Sequence, residues 1–471
     1  MRVRAGVFFL LSVAVAMAGC GGGAFQQSQN SVSGGPPSAR GSHPPTGSSP
    51  ISHVVLVIQE NRSFNDFFAS FPGADGTLNG KVAKETKCSP PIAKGKIPLQ
   101  KVPLLVPKDL DHRYAGYLAS YDKGKMDGFD KAPFGNGMPE CSYPYQYTDP
   151  TQIQPYWIMA QQYTLAEHMF MTQGSDSFTA HQDLIRGGTV VKNGQAMIDL
   201  PTCSGSNCYW GCDAPHGTHT HLINQANKYL KGTLGPFPCS DQFSVSYPTL
   251  RDLLDNAGVS WRYYVPPSNT SYGKLLSAFD AVAAVRKGPE WTDGHISAPE
   301  TNIFNDISNG TLQNVSWVIP EVNNSDHPYS AQDNGPEWVA SVVNAIGESQ
   351  YWGSTAIVVV WDDWGGFYDN AKPSIKDYGG LGFRVPAIVI SPYAKPANIA
   401  TTQYEFGSIL RYIEDNWNLG QLGTSDSRAT SLIGCFNYSQ QPIQFQPIPS
   451  SKSKEYFLHE QHSYQAPDTD W

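Results

Sequence analysis

The apolar run His53-Val54-Val55-Leu56-Val57-Ile58 ends in Gln59-Glu60-Asn61, and Asp362 and Asp363 close a second, Thr355-Ala356-Ile357-Val358-Val359-Val360-Trp361. Carboxylate and amide oxygens together suit an oxygen-liganded divalent cation. Two adjacent carboxylates buried at a strand end repel each other and lose hydration unless a cation or a proton compensates. Gly365-Gly366, directly after Trp364, lets the backbone turn tightly and pass close to a ligand. Either motif alone would also fit an ordinary polar loop; two strand ends of the same polarity point to a site.

The elements that must carry these residues follow from periodicity. Both runs are continuous, rich in β-branched residues and too short for typical helices, so they read as buried strands. Further strands are expected at 315–319 and 385–391. Trp338, Val339, Val342, Val343 and Ile346 mark one face of a helix with Pro336 near its start, and Ile409, Leu410, Ile413 and Trp417 mark another over 407–419. A third helix begins at Thr249, where Asp252 completes a capping box, and stops before Gly258. Strands alternating with helices predict an α/β fold: a mostly parallel central sheet with helices on both faces. The stretches 75–150 and 190–245, rich in Pro, Gly and aromatic residues, read as loop-rich insertions walling the site.

The 471 residues, 40% apolar and 12% aromatic, can bury a large core. A net charge of −9 and no basic run beyond the N-terminus exclude a broad nucleic-acid-binding face. Arg2 and Arg4, the apolar stretch Val7 to Met17, and Ala18-Gly19 before Cys20 resemble a bacterial lipoprotein signal over 1–20, with Cys20 as the lipidated residue; ordinary secretion is the alternative. Residues 21–50 are a Gly/Ser/Pro-rich tether expected to be disordered, 51–445 the globular domain and 446–471 a C-terminal tail. The reading is therefore export, with membrane contact through the lipid anchor or release from the cell. Export makes disulfides available. Eight cysteines less Cys20 leave an odd seven, so at least one thiol lacks a partner within the set. Cys203, Cys208 and Cys212 near His216, His219 and His221 fit no standard zinc spacing, and a disulfide-stapled insert over 201–240 is preferred.

Glu60-Asn61-Arg62-Ser63-Phe64 and Asp362-Asp363-Trp364-Gly365-Gly366-Phe367-Tyr368-Asp369 resemble the bacterial phosphoesterase family, which joins acid phosphatases to phospholipases C and belongs by fold to the alkaline phosphatase superfamily. Asp111-His112, Met126-Asp127-Gly128-Phe129, Asp326-His327-Pro328, Arg384-Val385-Pro386-Ala387 and Ser408 to Glu414 extend the likeness in order over about 51–440. The resemblance places the nucleophile at Ser177, in Ser175-Asp176-Ser177-Phe178-Thr179-Ala180-His181, although the family's flanking prolines are absent. Ser175 and Thr179 are the rival nucleophiles, and an N-cap serine is the bland alternative.

The resemblance implies a divalent metal of unspecified identity held by Glu60, Asn61, Asp362, Asp363 and the nucleophile Ser177 itself, with His112 and His327 as further catalytic residues. His181 and His295 fall outside this set. The expected activity is hydrolysis of phosphate monoesters, as in the acid phosphatases, through a phosphoseryl intermediate. The alternatives are a phospholipase C acting on glycerophospholipids and a lipid-anchored binding protein without turnover. Asn65-Asp66 and Asn370 stand where the family often has Asp-His and His. The Asp-Asp pair is closer to the acid phosphatase branch. The metal, the physiological ester, the oligomeric state and the disulfide partners stay open at this stage.

Overall fold

A computed structural model describes residues 49–83, 87–133, 138–202 and 210–464. The signal segment, Cys20, nearly all of the tether, Cys203 and Cys208 lie outside the described residues. Eight strands form the central sheet: β1 His53–Gln59, β2 Thr164–Ala166, β3 Trp261–Tyr264, β4 Ile296–Ser297, β5 Val315–Val318, β6 Thr355–Trp361, β7 Ala387–Ile390 and β8 Asn398–Ala400. Their spatial order is β4-β3-β5-β1-β6-β7-β2-β8. All run parallel except β7, which pairs antiparallel with both β6 and β2. The mostly parallel α/β sheet is as expected.

The two long apolar runs became the two central strands, and every residue in both is buried. That is the pattern of strands covered on both faces. Trp317 of β5 donates its indole N–H to the carbonyl of Leu184 in the Ser177–Arg186 helix, which places that helix on one face. Gln59 of β1 donates to Tyr156 in the Gln154–Gln162 helix and to the carbonyl of Gly335 in the Gly335–Gly347 helix, so these two share the opposite face. The expected third helix spans Leu250–Ala257, where the Asp252 carboxylate accepts the Thr249 N–H at 2.8 Å and Gly258 ends it at φ +69°.

Strand β7 is shorter than its apolar run, because Pro386 has no N–H to give to the ladder. The strands that sequence did not reveal, β2, β3, β4 and β8, have two to four residues each. Segments that short carry too few residues to show a period. The insertions hold small sheets of their own, such as Val190–Lys192, Gln195–Ile198 and His221–Asn224. Cys212 pairs with Cys239 inside the second insertion, and Cys88 pairs with Cys141 across the first. Cys435 is a buried free thiol. The segment read as a tail packs on the domain through residue 464: Asn344 exchanges two hydrogen bonds with the backbone of Ile448, and Phe457 meets Trp338 edge-on at 5.3 Å. Among the described residues no helix is long and apolar enough to cross a membrane.

One buried ion pair fixes the loop after β6 to the rest. Arg384 donates from Nε to Asp369 Oδ1 at 2.9 Å and through its terminal nitrogen to Oδ2 at 3.2 Å, and Asp369 Oδ2 also accepts the backbone N–H of Asn65. Both side chains are fully buried. Removing Asp369 leaves the half-exposed Asp75 carboxylate, 3.4 Å away, as the remaining charged partner of buried Arg384, a loss of about 3 kcal/mol. Asp369→Ala is expected to lower unfolding stability by about that amount in a urea titration; a loss below about 1 kcal/mol would show that the pair is not what anchors the loop.

Candidate active site and cation-binding cluster

Register brings the first two acids together. Gln59 of β1 is the partner of Trp361 of β6, so Glu60 and Asp362 are the next facing positions of two adjacent parallel strands. Parallel neighbours lie about 4.8 Å apart and in-register side chains point the same way. Asp362 N–H still bonds the Gln59 carbonyl at 2.8 Å, and then the ladder ends. Asn61 takes the left-handed conformation at φ +53°, and its N–H donates to Asp362 Oδ1 at 3.1 Å; the Asp363 N–H reaches the same oxygen at 2.7 Å. Gly365 N–H holds Asp363 Oδ1 at 2.7 Å. Gly365 has φ +59°, and a Cβ there would lie 2.1 Å from the Asn61 carbonyl oxygen, so only glycine allows the two loops to approach this closely.

The nucleophile candidate arrives from the helix on the sheet face that Trp317 identifies. Ser177 is the first residue of that helix, and Asp176 precedes it in an extended conformation. The Ser177 Oγ–H lies 3.1 Å from Asp363 Oδ2 and 3.3 Å from Glu60 Oε2. One turn on, His181 Nε2 is 3.0 Å from Glu60 Oε1 and 3.7 Å from Asp362 Oδ2. Residues four apart share a helix face, which is why the serine and the histidine meet the same carboxylates. Ser175 and Thr179 hydrogen-bond each other, and Ser175 also bonds Asp199, leaving Ser177 as the hydroxyl aimed at the acids.

Among the other expected residues, His112 joins the cluster directly. Its Nδ1–H donates to the Leu110 carbonyl at 2.6 Å, while Nε2 faces the Asn61 amide nitrogen at 3.0 Å and Asp363 Oδ2 at 3.8 Å. Asn61 thus gives its amide nitrogen to His112, while its amide oxygen Oδ1 is buried without a hydrogen-bond partner. His327 is buried one step away. Its N–H bonds Ser325 Oγ at 3.2 Å, and the Ser325 carbonyl accepts the Glu60 N–H at 2.7 Å. His295 lies apart, half-exposed, against Trp261 and Asp293. The residue that sequence reading left out is His181, and its four-residue spacing from Ser177 was the available signal.

Burial dominates the electrostatics. It raises Glu60 to about 8, and it raises Asp362 to about 7, with the Glu60 charge adding to the effect. Asp363 is held well above the usual carboxylate range by burial and by Asp362. The same desolvation lowers His181 to about 4 and His327 to about 3. Among the described residues no lysine or arginine pairs with Glu60, Asp362 or Asp363; the histidines are their only basic partners. Asp362 Oδ2 is buried without a hydrogen-bond partner. One ligand atom each from Glu60, His181 and Asp362 lies within 4.8 Å of the others, a spacing that fits a single ion. The donor set, two carboxylates and an imidazole, suits a transition-metal dication better than magnesium or calcium.

Residues 51–420 match the model of the Phosphoesterase family. Among curated proteins, the chain is 22% identical over 419 residues to "Hemolytic phospholipase C" of Pseudomonas aeruginosa, covering 77% of this chain and 52% of that protein. It is 22% identical over 460 residues to "Phospholipase C B" of Mycobacterium tuberculosis, covering 84% and 80%. A plant protein, "Non-specific phospholipase C6" of Arabidopsis thaliana, is 21% identical and covers 81% and 70%. The chain thus spans about half the length of the Pseudomonas relative. A solved structure of a protein in the alkaline phosphatase superfamily from Vibrio parahaemolyticus superposes at a TM-score of 0.34 with 12% identity, covering 80% of this chain and 69% of that one.

The raised carboxyls give the metal-free protein a pH signature. Glu60 and Asp362 start from 4.5 and 3.8 and rise on folding, so the folded metal-free chain holds protons that the unfolded chain releases. Their contribution is full below about pH 4 and is lost as pH rises towards 7–8. A cation reverses this by competing with those protons. The thermal midpoint of chelator-stripped protein is expected to fall between pH 5 and pH 8, with the largest rise on adding Mn²⁺ or Zn²⁺ at the alkaline end. A metal-induced rise equal at both pH values would contradict the assignment.

Proposed function

The chain belongs to the phosphoesterase family, and we propose that it hydrolyses a phosphate ester by attack of Ser177, beside a divalent cation held by Glu60, His181 and Asp362. The observation that carries this reading is the Ser177 hydroxyl within hydrogen-bond reach of Asp363 and Glu60 at the end of a helix. When bound, the cation supplies charge neutralisation at a phosphoryl oxygen and favours the serine alkoxide.

The remaining chemistry belongs to side chains. Asp363 Oδ2 takes the Ser177 proton as Oγ forms its bond to phosphorus and the ester oxygen departs. Asp363 thereby acts on the nucleophile rather than as a ligand, and Asn61 acts on His112. The first-turn amides after Ser177 carry the positive end of the helix dipole and face the phosphoryl oxygens. To assist the departing oxygen, His112 or His327 must first gain a proton, because each spends its Nδ1–H on a backbone carbonyl, Leu110 or Pro328, and His112 Nε2 accepts from the Asn61 amide; general-acid help is typically worth about 10²–10⁴ in rate. Water then opens the phosphoseryl group from the side the leaving group vacated.

For the substrate, the relatives named phospholipase C over more than three quarters of this chain support a phospholipid head-group ester. The phosphomonoester reading rests on the Asp362-Asp363 pair. A binding protein without turnover has no use for a serine set between carboxylates. The disulfides Cys88–Cys141 and Cys212–Cys239 support an exported protein, anchored through Cys20 or secreted.

Ser177→Ala is expected to lower turnover by about 10⁴-fold or more on whichever of p-nitrophenyl phosphate, p-nitrophenyl phosphorylcholine or phosphatidylcholine the wild type cleaves best. Acid-quenched wild type should carry a phosphoryl group on the peptide containing Ser177. Near-normal turnover in the variant would exclude attack by this serine. Chelation should abolish turnover reversibly, and full activity in demonstrably metal-free protein would exclude the cation.

A further inference from the structure

We propose that Glu460 and Glu321 are positioning residues, through which the C-terminal segment up to residue 464 sets the loop that carries His327 and backs Glu60. The inference rests on the function proposed above for its kinetic readout, and on hydrogen bonding alone for its structural one.

The loop 320–327 leaves the C-terminal end of β5 and does two jobs for the site. Its Ser325 carbonyl accepts the Glu60 N–H at 2.7 Å, and its Ser325 hydroxyl accepts the His327 N–H at 3.2 Å. That hydroxyl in turn donates to the Val322 carbonyl at 2.8 Å and meets Tyr272 Oη at 3.3 Å. The loop has little regular structure to hold it, only the short turn Val322–Asn324, and Asp326 within it takes the left-handed region at φ +66°. Its shape must therefore be imposed by side chains.

Asp326 is held directly, its carboxylate by Tyr156 and Trp361 and its carbonyl by Arg62; two further carboxylates set the stretch before it. Glu321 accepts the Asn323 N–H through Oε2 at 2.9 Å, capping the turn, and accepts the Ser463 N–H through Oε1 at 2.7 Å. Glu460 accepts the Asn324 side-chain amide through Oε2 at 2.8 Å and the Asn334 amide through Oε1 at 3.1 Å. Asn334 also donates its backbone N–H to the Asn323 carbonyl. Each carboxylate thus spans two segments, and the two chains of bonds end at Asn323 and Asn324, four and three residues before His327. The C-terminal segment is itself seated by Ile448 on Asn344 and by Phe457 on Trp338, so the loop is referenced to a helix in the core. Hydrogen bonds to charged acceptors are the stronger kind, and a small misplacement of a group acting on the reacting atoms can cost about 10²-fold in rate.

The test uses the full chain with Glu460→Ala, Glu321→Ala and the conservative Glu460→Gln and Glu321→Gln. Both alanine variants are expected to lower kcat by about 10²-fold with KM within about twofold, at an almost unchanged thermal midpoint. The glutamine variants keep one acceptor oxygen of the two and set an NH2 against the other donor, so they should recover part of the loss. Hydrogen–deuterium exchange should show faster exchange in the peptide covering 320–328 for the alanine variants only. Unchanged exchange there, or a kcat loss that glutamine does not relieve and that tracks a fall in thermal midpoint, would overturn the assignment. If the wild type cleaves none of the phosphate esters above, the functional reading fails while the exchange experiment still decides this one.

Discussion

Everything at the candidate site follows from putting three carboxylates where water cannot reach them. Glu60, Asp362 and Asp363 are buried at the ends of two adjacent central strands, and no arginine or lysine among the described residues offsets them. Desolvation penalises each charge, and each charge penalises its neighbours. A protein retains such an arrangement only if something else completes it, and protons or a cation are the available completions. The orphaned Asp362 oxygen and the convergence of His181 on Glu60 favour a cation over protons alone.

The fold makes that convergence cheap. In a parallel sheet, strands in register bring the residues one step past their ends side by side with no special loop design. The Gln59–Trp361 pairing does this for Glu60 and Asp362. The helix that follows on the same face then presents its N-terminus to the same edge, so a hydroxyl on its first turn and an imidazole one turn later fall beside the acids. At Gly365 the two strand-end loops touch, and at Gly366 the second of them meets Leu110 close to His112, so a Cβ would clash at both.

This division explains what could be read from the sequence. Strand ends with acids were legible because a long apolar run states its own boundaries, and the polar residues after it stand out. The family resemblance picked out Ser177, which the geometry alone would rank first only after Ser175 and Thr179 are seen bonded elsewhere. His181 was legible only through its four-residue spacing from Ser177, because every residue of that helix is buried and no exposed face singles out the side chains that meet the site. The short strands β2, β3, β4 and β8 were invisible for another reason: they are strands because long neighbours supply their partners, not because of their own composition. The C-terminal segment read as a tail because it is polar in sequence, and it packs through a few residues, Ile448 and Phe457, spaced too widely to form a pattern.

The site also shows why chemistry and specificity separate in this chain. The residues around phosphorus are fixed by strand register, one helix and buried hydrogen bonds, all of which penalise change. The first insertion shares in that machinery, because it carries His112, while the second is stapled by Cys212–Cys239 and has a small sheet of its own. On the function proposed above, changes in the second insertion would alter the alcohol recognised more readily than the attack at phosphorus.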